Sequence, residues 1–156
     1  TTSNFDDVYR TYWNNNDLQG HMDFSNISMI EFSTQCQMSF NDNPGMTEIT
    51  LPTGPDMVCR QLHLYNCGLT AVNGIENYNN FDVDNSAVHV YNNNLDAAMV
   101  NKVLVSVNQG CTAGFTSRQC YLYGPSMSAP DGSSGGYDGV TAKADLITKG
   151  WAVNTN

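Results

Sequence analysis

The chain has 156 residues, enough for one hydrophobic core, so we expect a single domain over residues 1–156. Fifteen acidic residues oppose six basic ones, and the resulting charge of −9 would repel a phosphate backbone, which argues against a nucleic-acid partner. Only 13% of the residues are charged, so Asn, Ser, Thr and Gly supply most of the polar surface.

Neither a secretion signal nor a membrane span is expected from the sequence. The first twenty residues lack a basic start followed by an apolar run. No apolar stretch is long enough to cross a bilayer, so we expect no membrane partner.

Residues 3–13 have the periodicity of an amphipathic helix. Apolar side chains recur there at helical spacing, at Phe5, Val8, Tyr9, Tyr12 and Trp13. Ser3 can cap this helix. We therefore predict that residues 1–20 either cap the first repeat of the core or reach a neighbouring subunit as an arm.

Two near-copies of one short pattern follow. Residues 62–69 read LHLYNCGL, and residues 88–95, starting 26 positions later, read VHVYNNNL. Each copy has alternating aliphatic residues, then Tyr-Asn, then Cys or Asn two places before a closing leucine. This is the LxLxxN/CxL core pattern of leucine-rich repeats.

The same register extends the repeats over residues 21–95. Asn43 occupies the turn position of an earlier repeat, and Met46 closes it. We predict about five short strands in a small parallel sheet, each with two inward side chains. The predicted inward pairs are Met22 and Phe24 in a degenerate first repeat, Met38 and Phe40, Leu62 and Leu64, Val88 and Val90, and Cys120 and Leu122.

Residues 96–156 are predicted to form a C-terminal repeat and cap with two helices. Asp96 can cap the first helix, and Gly110 ends it. The second helix begins at Thr141 and ends at Gly150. Between them, residues 130–139 are rich in Gly and Ser, which predicts a surface loop. The apolar stripe of the first helix is Met99, Val100, Val103, Leu104 and Val107.

The five cysteines have neither CxxC spacing nor paired histidines nearby. Cys59, Cys67 and Cys120 fall at inward positions of the repeat register, so we interpret them as reduced core thiols. One disulfide remains the alternative.

Outward residues of strands stacked in register form columns across the exposed face of a sheet, spaced by roughly 4.8 Å. Two columns are predicted. The first contains Asp23, Ser39, His63, His89 and Tyr121, and the second contains Ser25, Asn41, Tyr65, Tyr91 and Tyr123.

The candidate binding residues are the aromatic members of both columns, namely His63, Tyr65, His89, Tyr91, Tyr121 and Tyr123. Tyrosine supplies large, rigid contact area and is favoured at binding surfaces. The alternative interpretation is that aromatic neighbours in adjacent strands only stabilise the sheet.

No residues are expected to bind a metal or cofactor or to catalyse a reaction. His63 and His89 lack a third zinc ligand on their face. The loop at residues 131–138 lacks the Asp spacing of a calcium site, and no GxSxG motif is present. We therefore expect a protein that is not an enzyme.

The C-terminal sequence resembles a known family. DAAMVNKVLVSV at residues 96–107 and VTAKADLITKGW at residues 140–151 resemble the closing portion of leucine-rich-repeat proteins found in tailed-phage genomes and in bacterial surface proteins. The similarity covers about residues 59–154. Together with the repeat pattern and the helical spacing of residues 3–13, it predicts an α/β fold: a short leucine-rich-repeat-like solenoid with a small parallel sheet, an N-terminal capping helix and two C-terminal helices.

The resemblance also implies a structural role in a virion. The expected protein is a capsid decoration or appendage subunit, assembled in the host cytoplasm, whose partner is the major capsid protein or another shell protein. Association with its own copies is a further expectation. The alternative is a recognition module, an adhesin or receptor-binding protein that uses the tyrosine and histidine face.

Overall fold

The computed structural model describes residues 10–26, 37–52, 59–78 and 81–156. Two parallel β-sheets and two α-helices make up this part of the chain, and neither sheet closes into a barrel. The helices are α1, Ala97–Gln109, and α2, Gly139–Thr148. The strands are β1 Arg10–Tyr12, β2 Gly20–Asp23, β3 Gln37–Ser39, β4 Met46–Thr50, β5 Gln61–His63, β6 Ala71–Asn73, β7 Ala87–His89, β8 Arg118–Leu122 and β9 Trp151–Thr155.

The main sheet has six strands in the order β1-β3-β5-β7-β8-β9. Met38, Leu62, Val88 and Cys120 stand in register across four of these strands and are buried. The second predicted inward residues, Phe40, Leu64, Val90 and Leu122, are buried as well. The predicted parallel sheet is therefore confirmed for these four strands.

A second sheet, in the order β2-β4-β6, was not predicted. Met22 pairs there with Ile49, which pairs with Val72. The interpretation of Met22 and Phe24 as an early rung of the main sheet is therefore wrong. Alternating apolar residues fit either sheet equally well, and the pairing partner decides between them.

The N-terminal helix prediction is wrong at its C-terminal end. Arg10–Tyr12 is a β-strand, paired in parallel with β3, and Trp13 N–H donates to the Ser39 carbonyl at 2.8 Å. Tyr12 and Trp13 are about half exposed rather than buried on a helix face. Residues 1–9, and with them the rest of the predicted helix, lie outside the described residues.

The turn position of the repeat pattern is buried and hydrogen-bonded. The Asn93 side-chain amide donates to the carbonyls of Val90 (2.7 Å) and Leu64 (2.8 Å), which belong to adjacent rungs. Asn43 donates in the same way to Phe40 (2.7 Å) and Trp13 (2.8 Å). These amides satisfy carbonyl groups that the strands leave unpaired, which explains the preference for Asn in the pattern.

The two predicted helices are confirmed. Asp96 caps α1 by accepting from Met99 N–H at 2.9 Å. Helix α2 begins at Gly139, two residues before the predicted start, because Asp138 caps it by accepting from Thr141 N–H at 2.9 Å. The two helices pack against each other, and α2 also contacts β9 of the main sheet, whereas α1 contacts β6 of the second sheet.

The Gly- and Ser-rich loop before α2 is held by one carboxylate. Asp131 accepts from Ser133 N–H (3.0 Å), Ser134 N–H (2.7 Å) and the side-chain amide of buried Asn101 (2.8 Å). The Ser134 hydroxyl also donates to this carboxylate, and that bond, followed by the other three, lowers the pKa of Asp131. The loop is thereby fastened to helix α1.

Four of the five cysteines are described. Cys59, Cys67, Cys111 and Cys120 are buried and have free thiols. Burial raises the pKa of Cys67 to about 11, so its thiol stays protonated at neutral pH. Cys36 lies outside the described residues.

Candidate functional site

The first predicted column lies on the outer face of the main sheet. Ser39, His63, His89 and Tyr121 stand opposite one another in adjacent strands, as the repeat register predicted. The rings of His63 and His89 are 4.9 Å apart and meet edge to face, whereas those of His89 and Tyr121 are stacked at 4.8 Å and 1°.

The second column runs beside the first, just beyond the strands. Tyr65 and Tyr91 are stacked with ring centroids 4.7 Å apart and planes 5° apart. Tyr91 and Tyr123 are stacked at 5.1 Å and 7°. All six predicted site residues are therefore brought together on one face, which we call the aromatic face: His63, Tyr65, His89, Tyr91, Tyr121 and Tyr123.

The predicted heads of both columns are not on this face. Asp23 pairs with Thr50 in the second sheet, and Ser25 follows the same strand. Tyr12 of β1 stands opposite Ser39 instead, and its hydroxyl donates to Gln37 at 3.0 Å. The predicted column heads are wrong because residues 20–23 belong to the second sheet.

A third outward column flanks the histidines and was missed by the sequence analysis. It contains Gln37, Gln61, Ala87 and Gln119, which stand in register across four strands. The Oε1 atom of Gln119 lies 3.0 Å from Nε2 of His89 and fixes that ring. The sequence could have revealed this column, because each of its residues precedes a member of the first column by two places and residues two apart on a strand lie on the same face.

A ladder of turn residues supports the tyrosines. Asp42, Asn66 and Asn92 each follow the second column by one residue, and all three have positive φ angles of 55–62°. The Asn66 amide donates to Asp42 at 2.8 Å, and the Asn92 amide donates to Asn66 at 2.9 Å. Asn and Asp tolerate this left-handed conformation, so the turns after Asn41, Tyr65 and Tyr91 share one shape, whereas Gly124 after Tyr123 has a φ angle of 152°.

Burial keeps the histidines of the aromatic face neutral. Burial, and then charge repulsion from the neighbouring His89, lowers the pKa of His63 to about 4. Burial also lowers the pKa of His89, against the opposing effect of the hydrogen bond to Gln119. The Nε2 atom of His63 is buried without a hydrogen-bond partner in the described part of the chain. Both imidazoles are therefore uncharged at neutral pH.

Tyr65 and Tyr91 are uncharged as well. Burial, and then the negative charge of Asp42, raises the pKa of Tyr65. Burial, and then the neighbouring phenols of Tyr65 and Tyr123, raises the pKa of Tyr91. An uncharged aromatic surface thus lies on a chain whose formal charge is −9.

Stacking determines which parts of the rings a partner can reach. Parallel rings about 5 Å apart cover one another's faces. The ring edges, and the outer faces of the two end rings of the tyrosine column, Tyr65 and Tyr123, are left for contact. The surface suits packing and hydrogen bonding along its edges better than insertion of a flat ligand between rings.

The described residues include no group of three or more His, Cys, Asp or Glu side chains arranged to hold a metal ion. Within the same residues, neither helix has the length and apolar character that crossing a membrane requires. In comparisons with known proteins, the chain matches no family model, no characterised protein and no solved structure.

Proposed function

We propose that this chain is a non-enzymatic structural protein of a tailed-phage virion, a capsid decoration or appendage subunit that binds a shell protein through its aromatic face. The observation that carries the proposal is the uncharged, in-register stack of four tyrosines and two histidines on one face of the main sheet. Residues of these types are favoured where proteins meet.

We also propose that the fold is a short leucine-rich-repeat-like solenoid. Strands of the main sheet alternate along the chain with strands of the second sheet or with helices. Each return of the chain to the main sheet adds one parallel strand. The buried amides of Asn43 and Asn93 link adjacent rungs at the position where the leucine-rich-repeat pattern has Asn.

Two features favour protein over carbohydrate as the bound partner. A sugar packs on an open aromatic ring face, and stacking occupies most ring faces here. The flanking Gln61 and Gln119 extend the surface with neutral amides, which suits a wide, weakly charged protein contact. A receptor-binding module that recognises glycans is therefore the less supported alternative.

Co-sedimentation tests the virion assignment. Particles from the source of the chain would be separated on a density gradient, and each fraction would be quantified by mass spectrometry. We expect the chain to travel with intact particles in a fixed ratio to a shell protein. Its recovery only at the top of the gradient would contradict the structural role.

Substitutions on the two sheets test the assignment of the surface. Replacement of Tyr65, Tyr91 and Tyr123 by Ser should lower particle occupancy at least about tenfold, equivalent to ~1.4 kcal/mol of binding free energy. The matched control replaces His21 and Glu48 by Ser on the outer face of the second sheet, and it should leave occupancy unchanged. Equal losses of particle occupancy in both variants would show that the contact does not lie on the aromatic face.

A further inference from the structure

One end of the molecule combines an open sheet edge with an exposed apolar helix stripe. Strand β9 pairs with β8 along one edge, and no described strand pairs with its other edge. Helix α2 immediately precedes β9 and packs against it. We call this surface the β9 end.

The side of α2 that faces α1 is defined by contacts. Asp145 accepts from the Asn108 side-chain amide at 3.2 Å, and the Lys149 ammonium donates to the Asn108 carbonyl at 2.6 Å. Gly139 lies so close to α1 that a Cβ atom would collide with the Asn101 side chain. This side of α2 therefore packs against α1.

The opposite side of α2 is apolar and exposed. Val140, Ala144 and Ile147 follow one another at helical spacing and form a single stripe there. Val140 and Ile147 are each 53% exposed. Lys143, next to this stripe on the helix surface, donates to the Thr155 hydroxyl of β9 at 2.7 Å, so the stripe lies beside β9. A backbone edge and an apolar stripe side by side form one surface that another chain can cover.

The distribution of charge favours a second copy of this chain at the β9 end. Residues 1–95 contain eleven acidic and two basic side chains, whereas residues 96–156 contain four of each. The net charge of −9 therefore lies entirely in residues 1–95, and the part that forms the β9 end is neutral. Two copies that meet through this end keep their acidic parts far apart, which limits like-charge repulsion.

We propose that the β9 end is a two-fold interface between two copies of the chain. Strand β9 would pair antiparallel with β9 of the second copy and join two six-stranded sheets into one. The two α2 helices would pack antiparallel, with Val140 against Ile147 of the second copy. The small side chain of Ala144 at the centre lets the helices approach closely.

The size of this surface is sufficient for a reversible dimer. A five-residue strand and a ten-residue helix are each roughly 15 Å long, and side by side they cover a face roughly 20 Å wide. Such a contact would bury roughly 1,000 Å² of accessible surface in total, near the lower limit of specific interfaces. The dimer should therefore dissociate on dilution in the micromolar range.

Analytical ultracentrifugation of the full chain tests the proposal between about 1 and 300 µM. We expect a reversible change from monomer to dimer and no larger species. Val140→Asp combined with Ile147→Asp should raise the dissociation constant at least tenfold. The control, Thr47→Asp combined with Asn94→Asp, adds the same charge at exposed positions elsewhere and should leave the dissociation constant unchanged.

Hydrogen exchange gives a second readout that does not depend on a variant. Backbone amides of β9 should exchange more slowly at 300 µM than at 1 µM, while those of β2 should not change. The proposal is overturned by a wild-type chain that stays monomeric, by an open series of larger species, or by β9 exchange that does not depend on concentration.

Discussion

The two parallel sheets have the same backbone arrangement but very different outer faces. The outer face of the main sheet has stacked aromatic rings with neutral amides beside them. The second sheet has short polar contacts: Nε2 of His21 lies 2.8 Å from the Thr50 hydroxyl, and the Asn73 amide donates to Glu48 at 2.6 Å.

The second sheet therefore serves as an internal control. It shows that parallel strands in this chain need no aromatic stack to pair, because three strands assemble in register with polar outer residues. The aromatic stack on the main sheet is therefore more than strand pairing requires. We take the excess as support for a contact role of the aromatic face.

The largest effect is expected when the buried amide at the end of a main-sheet strand is removed. Asn93→Ala leaves the carbonyls of Val90 and Leu64 without their hydrogen bonds in the core. The free energy of unfolding, measured by urea denaturation, should fall by about 3 kcal/mol. Asn94→Ala, at the exposed neighbouring position, should change it by less than about 0.5 kcal/mol. A loss below about 1 kcal/mol for Asn93→Ala would show that the amide does not join the rungs.

The stacking energy of the aromatic face can be compared directly with the second sheet. Tyr91→Ala removes the ring that stacks on both Tyr65 and Tyr123, and it should lower the free energy of unfolding by about 2 kcal/mol. Thr50→Ala on the second sheet should cost less than about 1 kcal/mol. Equal losses at the two positions would mean that the rings add nothing beyond ordinary cross-strand contact.

Acid should destabilise the main sheet through His63. Unfolded His63 takes up a proton near its ordinary pKa of 6.5, whereas the folded pKa is about 4. Protons therefore bind the unfolded state preferentially between these values, so the stabilisation is complete above pH 6.5 and is lost as the pH falls toward 4.

Urea denaturation at pH 7.5 and pH 4.5 measures this difference. His63→Gln should reduce the loss of stability between the two pH values by about 1 kcal/mol, a figure reduced for partial solvent screening. Gln61→Ala, which removes no ionisable group from the same face, should leave the pH dependence unchanged. An unaltered pH dependence in His63→Gln would contradict the depressed pKa.

The smallest effect is expected at the exposed turn ladder. Asn66 has a φ angle of 55°, which glycine adopts without strain and alanine does not. Asn66→Ala should lower the melting temperature more than Asn66→Gly does, by the equivalent of about 1 kcal/mol. Identical melting temperatures would show that the turn changes its conformation to accept alanine.

The sequence predicted the features that repeat locally. Alternation of aliphatic residues, with Asn or Cys at the turn, predicted that His63 lies beside His89 and Tyr65 beside Tyr91. Helix α1 was predicted for the same reason, because Asp96, an apolar stripe and Gly110 follow one another within fifteen residues.

The features that depend on distant partners were not predicted. Strands β1, β2 and β6 have only three or four residues, and pairing with another strand holds each of them in place. Met22 alternates with its neighbours in a way that fits either sheet. Tyr12 belongs to a stretch with helical spacing, yet its backbone pairs with β3. Local periodicity alone cannot choose between such outcomes.

Hydroxyl-radical footprinting tests the proposed contact most directly, since the radical oxidises tyrosines that solvent can reach. The chain would be compared free and bound to purified particles, with Tyr137, in the loop before α2, as the internal reference. Our account predicts that binding protects Tyr65, Tyr91, Tyr121 and Tyr123 and leaves Tyr137 unchanged. Protection of Tyr137 with unchanged oxidation of the other four would contradict the assignment of the aromatic face as the binding surface.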